Sequence, residues 1–165
     1  MKIVQYQPES ATAKRDRAAF ERLNRAWIEE YFCIEKEDVE VFENLDTYVK
    51  NGAGVFFAKD GETYLATCMV LPVSLGSNGA AESENEWEIC KLAADAKNQR
   101  HGAGSAVFAA CKEYALSKGA TRIILLTNTK LKPALHIYEK HGFKVAPLET
   151  WNNFSRADIE YEFKP

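Results

Sequence analysis

The 165 residues carry 21 basic and 24 acidic side chains, for a net charge of −3, and 46% of them are hydrophobic. That length suits one domain, spanning 1–165, with a sizeable core. The mild acidity and the lack of a Lys/Arg-rich arm speak against a nucleic-acid partner, whose binding rests mainly on phosphate neutralisation, and no window nears the ~18 apolar residues of a membrane span.

The first residues, Met1 to Tyr6, are too few and too polar for a signal peptide. Cys33, Cys68, Cys90 and Cys111 are scattered and form no CxxC pair, which predicts free thiols in a reducing cytoplasm. His101, His136 and His141 lack metal-ligand spacing, so no metal is expected.

Residues 1–7 alternate weakly and predict a first strand, closed by Pro8. Ser10 or Thr12 is placed to cap the helix that follows. Phe20, Leu23, Trp27, Ile28 and Tyr31 share one helical face, with Arg17, Glu21, Arg25 and Glu29 opposite. A second helix is expected from Glu37, apolar at Val41, Phe42, Leu45, Tyr48 and Val49, with Asn44 and Asp46 placed to break it. From Val55 the period becomes that of strands. Residues 55–58 are a buried run, 59–62 a hairpin turn with an Asp-Gly signal, and 63–73 a longer strand. Residues 75–85 are rich in Gly, Ser, Ala and Glu and read as a loop.

A strand at 87–94 then leads into the polar turn Gln99-Arg100-His101-Gly102-Ala103-Gly104, and a helix from 105 to 118 stops at Gly119. Residues 121–127 are a buried strand by composition. Pro133 opens a helix to Lys140. A strand starts at 143–145, a loop with Trp151 and Phe154 spans 148–156, and 157–163 alternates as an edge or hairpin strand closing the sheet. The hairpin demands antiparallel neighbours, and the β-α-β unit from 87 to 127 at least one parallel pair. The fold class is a mixed α/β sheet with helices on its faces.

A strand, a turn with two glycines and a helix N-terminus make a place to hold phosphate. A Walker loop would need Gly-Lys-Ser/Thr, but Gly104 is followed by Ser105-Ala106. A dinucleotide site would need a third glycine and an acid after the next strand, and neither is present. The remaining option is the coenzyme A pyrophosphate loop, Gln/Arg-x-x-Gly-x-Gly/Ala, which 99–104 fits at every fixed position.

The chain resembles a GCN5-related N-acetyltransferase (GNAT) of the bacterial, single-domain kind. Two segments carry the resemblance: EICKLAADAKNQRHGAGSAVF, matching the central strand, pyrophosphate loop and helix, and TNTKLKPALHIYEKHGF, matching the Asn…Ala…Tyr-Glu-Lys-x-Gly-Phe segment. It implies a mostly antiparallel sheet with a V-shaped splay between strands 4 and 5 and helices on both faces, the fold of acyl-CoA N-acyltransferases. It also implies acetyl-CoA as cosubstrate, its pyrophosphate on the backbone of Arg100, His101, Gly102, Ala103, Gly104 and Ser105 after Gln99. The pantetheine arm would lie along Leu92, Ala93 and Ala94, with Asn128 contacting it. Tyr138 matches the tyrosine near the thioester sulfur and is the expected acid. A phenol of pKa ≈ 10 suits a thiolate leaving group.

Glu88 falls where the histone-acetylating branch of the family has its base, with Glu86 two residues earlier as a second candidate acting through water. A carboxylate between Trp87 and Ile89 is expected to be desolvated and its pKa raised. Transfer by direct attack in a ternary complex would need no covalent intermediate, and Cys90 has no histidine near it in sequence to make it a nucleophile. Ala103 stands where many members have a larger aliphatic, and 95–98 lacks the frequent proline.

The acceptor, a small amine or a protein amino group, is expected against the first two helices and the 74–85 and 148–157 loops. Trp27, Tyr31 and Phe32 serve there as core or substrate wall, and Glu29, Glu30 and Glu35 as a solvated face or a draw for a cationic acceptor. A monomer and a homodimer paired through 157–163 both fit. The alternative is a non-catalytic acyl-CoA-binding sensor or interaction module on the same fold, and a longer acyl group is a third reading.

Overall fold

The computed structural model describes residues 1–76, 85–98, 102–148 and 156–165. One mixed sheet of seven strands organises the molecule, in the order β1-β2-β3-β4-β5-β7-β6. The strands are β1 (Lys2–Gln5), β2 (Gly54–Asp60), β3 (Thr63–Pro72), β4 (Glu86–Ala94), β5 (Arg122–Thr127), β6 (Lys144–Ala146) and β7 (Ile159–Phe163). Every neighbouring pair is antiparallel except β4 with β5.

Three helices precede β2: α1 (Ala13–Tyr31), α2 (Lys36–Glu43) and α3 (Leu45–Lys50). They cover one face through Phe20, Leu23, Phe42 and Leu45, which pack on Val55, Phe57, Met69 and Leu71. The second helical stretch breaks at Asn44, where an amide competing for backbone hydrogen bonds was expected to end it; its Nδ2 donates to the Glu40 carbonyl. Two helices cover the other face: α4 (Ala103–Ser117) and α5 (Lys132–Lys140). Val107, Phe108, Cys111 and Tyr138 pack there on Ile89, Ile123, Leu125 and Tyr161.

Two expectations change and a third narrows. The helix after the polar turn begins at Ala103, not 105, because Gly102 adopts φ 91° as its N-cap and the spiral closes early, with Ala106 N–H donating to the Gly102 carbonyl. The strand near 157–163 is a hairpin partner of β6 and not an edge: β7 lies between β5 and β6, with Tyr161 beside both Leu125 and Val145, so the sheet ends at β1 and β6. Tyr31, on the core face by spacing, is 50% exposed because α1 ends there. Cys68 and Cys111 are buried and Cys90 half-buried, whereas Cys33 is exposed.

Candidate active site

The site begins where two strands part. β4 and β5 pair at Glu86↔Arg122, Trp87↔Ile123 and Glu88↔Ile124, and no further. Beyond Glu88 the strands separate. A cavity of about 330 Å3 opens between them, lined by Glu88 to Ala96 on one side, Leu126 to Asn128 on the other, and Gly104, Ile137 and Tyr138 beneath.

A β-bulge shapes the β4 wall. Thr67 pairs with Ala93 and Met69 with Cys90, so Lys91 and Leu92 together oppose Cys68. Lys91 takes φ 56°, a left-handed conformation that is costly for a lysine and that persists only where surrounding contacts hold it. Its ammonium reaches Asp38 of α2 at 2.7 Å. The bulge turns Cys90 and Lys91 to the α1–α3 side while Leu92 packs with the α4 core.

The expected site residues divide as follows. Glu88 is 5% exposed and lines the cavity on the α1–α3 side, beside Leu71. Glu86, the second candidate base, does not line it; its carboxylate faces Arg122 at 4.0 Å, which also binds Glu162 and Glu160. Tyr138 is 7% exposed and stacks near Phe108 at 5.2 Å. Burial, with the nearby Cys68, pushes its phenol well above its ordinary pKa, against a hydrogen bond with Thr127 that pulls the other way. It therefore stays protonated at neutral pH.

Leu92, Ala93, Ala94, Gly104 and Asn128 line the cavity, whereas Gly102, Ala103 and Ser105, at the start of α4, do not. Gln99, Arg100 and His101 lie outside the described residues. Asn128 has its amide committed locally: Nδ2 donates to the Arg156 carbonyl at 2.6 Å, and Oδ1 accepts from Lys130 N–H. Burial raises the Cys90 thiol well above its usual pKa, with Glu88 adding to the effect, so a thiolate is disfavoured there.

The residues fit the coenzyme. The N–H groups of Ala103, Gly104 and Ser105 precede the first intrahelical bond of α4 and face outward at its positive end. A Cβ added at Gly102 would meet no atom of the described residues within 4 Å. The backbone of β4 beyond Glu88 has lost its β5 partner, leaving a strand edge to which an extended amide arm can add.

A buried ionic cluster that the sequence reading missed closes the far wall. Asp38, 0% exposed, binds Arg156 through both oxygens, at 2.6 Å and 2.8 Å, as well as Lys91. Glu35 binds Arg156 at 3.0 Å. Burial works to raise the Asp38 pKa, but Arg156 and Lys91 outweigh it and hold the carboxyl well below its ordinary range. Arg156 in turn lies over Trp27 at 5.8 Å, and Trp27, Glu30, Tyr31 and Phe32 all line the cavity. The only sequence signal was Lys91 itself, a lysine inside an apolar strand, which requires a buried acid.

The fold as a whole is shared with acetyltransferases of known structure. A GNAT-family acetyltransferase from Staphylococcus aureus Mu50 superposes with a TM-score of 0.79 at 13% identity, over 99% of this chain and 98% of its own. A ribosomal-protein-alanine N-acetyltransferase from Brucella melitensis gives 0.76 at 13%, over 100% of both chains. An acetyltransferase from Salmonella typhimurium, solved with its cofactor acetyl-CoA, gives 0.70 at 11%, over 99% and 94%. A comparison with curated proteins gives no match. The chain belongs to the acetyltransferase (GNAT) family, whose model matches residues 18–143.

Proposed function

We propose that this chain moves an acetyl group from acetyl-CoA to a primary amine by direct attack in a ternary complex. The observation that carries the reading is the opening of the sheet directly above Glu88, with Glu88 on one side and a protonated Tyr138 on the other. Acetyl-CoA supplies the thioester. The α4 N-terminus binds its pyrophosphate, and Leu92 to Ala94 align its arm. Glu88 takes the proton of the acceptor ammonium. The amine attacks the thioester carbonyl, the C–N bond forms as the C–S bond breaks, Tyr138 gives its proton to the departing thiolate, and the second proton leaving the new amide nitrogen restores the Tyr138 phenol. Positioning supplies much of the rate, since bringing the two reactants together removes an entropic barrier. The Trp27, Tyr31 and Phe32 wall takes the acceptor's apolar part, and Glu30 favours a cationic one.

The test is thiol release from acetyl-CoA across a panel of amines and exposed protein amino groups. Turnover with at least one acceptor, reduced about a hundredfold in Glu88→Gln, is expected. Tight acetyl-CoA binding with no release for any acceptor, and no effect of Glu88→Gln, would instead identify a non-catalytic acyl-CoA sensor.

A further inference from the structure

Polar groups from two helices meet beside the first turn of α4. Ser105 is the third residue of that helix, and its Oγ lies 2.8 Å from Nε2 of His141. Lys140 Nζ donates to the same oxygen at 3.4 Å. His141 follows α5 directly. Its carbonyl accepts from Lys112 Nζ of α4 at 2.9 Å, and its ring packs 5.4 Å from Phe108.

The Ser105 hydroxyl has one proton to give. When Nε2 accepts that proton, the hydroxyl has none for a ligand. When Nε2 carries a proton and donates to Oγ, the hydroxyl proton turns outward, toward the place where the first N–H groups of α4 meet an anion. Burial first, then Lys112 and Lys140, hold the imidazole below its ordinary pKa, so the ring is mostly neutral at neutral pH. A bound diphosphate offsets the two ammonium groups and favours the imidazolium.

We propose that His141 is a positioning residue for the coenzyme's pyrophosphate: its Nε2 donates to Ser105 Oγ, aims the Ser105 hydroxyl at the phosphate, and takes up a proton as the phosphate binds. This rests on reading the site as one for coenzyme A. The complex then holds more protons than the free protein, so affinity falls as pH rises. Among the described residues the charged groups facing His141 are Lys112 and Lys140.

The experiment is calorimetry with dephospho-CoA from about pH 5.5 to about pH 8, where an imidazole changes charge. That probe keeps the pyrophosphate and lacks the phosphomonoester, whose own ionisation near pH ≈ 6 would confuse the profile. Wild type is expected to lose about tenfold in affinity across the range, the value of one charge-assisted hydrogen bond. His141→Gln, which donates to Ser105 without titrating, is expected to bind with a pH-independent Kd, and Ser105→Ala to bind more weakly and also without slope. A flat wild-type profile, or an unchanged slope in His141→Gln, overturns the proposal while leaving the coenzyme site standing. No dephospho-CoA binding at any pH overturns both.

Discussion

Tyr138 and Glu88 divide the proposed proton traffic between two faces of one sheet. Glu88 alternates with Cys90 along β4 and so belongs to the α1–α3 side, whereas Tyr138 rises from α5 on the other. Both line the cavity that opens where β4 and β5 part. Because the raised phenol pKa keeps Tyr138 protonated, its use as an acid does not depend on pH near neutrality. Tyr138→Phe is therefore expected to lower kcat about a hundredfold with little change in acetyl-CoA affinity. Steady-state kinetics beside calorimetry checks this, and unchanged kcat removes Tyr138 from the acid role. The sequence named both residues, Tyr138 through its motif and Glu88 by its place before the polar turn, and both line the cavity. Asp38 and Arg156 were not named, because ion pairs between residues more than a hundred positions apart leave no local pattern.

The elements around the site were mostly legible because their signals are local. The Asp-Gly turn between β2 and β3, the Pro133 start of α5 and the apolar run of β5 each reflect a short-range backbone preference. The choice between edge and hairpin for β7 is of another kind, since alternation along a strand says which face a side chain takes but not which strands flank it. The bulge in β4 also escaped notice, and it depends on α2. Asp38 is the anchor that binds Lys91 of the bulge and Arg156 of the segment before β7. Asp38→Asn leaves two buried cations undercompensated and is expected to destabilise the fold by about 3 kcal/mol at neutral pH. Its folded pKa lies below the unfolded value of 3.8, so the carboxylate's contribution is present in full above that value and fades as pH falls through the folded one. The gap in stability between wild type and Asp38→Asn should accordingly shrink below about pH 4. Denaturant unfolding at pH 7 and pH 3 checks both points; equal stability of the two proteins at pH 7 would contradict the anchoring role.

At the level of the whole molecule, one sheet carries two cores, and the cavity lies along the line where the sheet opens between them. Coenzyme bound there would touch β4, β5, α4 and α5 together, so its binding free energy should appear directly as global stability. The thermal midpoint in saturating acetyl-CoA tests this most directly. At about a hundred times Kd, a ligand specific to the native state adds about 2.7 kcal/mol, which raises the midpoint of a domain this size by roughly 5–10 °C. The expected result is a rise of that order with acetyl-CoA, a smaller one with dephospho-CoA, and a matching heat of binding. No shift at millimolar acetyl-CoA, together with no heat of binding, would contradict the assignment of the splayed β4–β5 cleft as the coenzyme site.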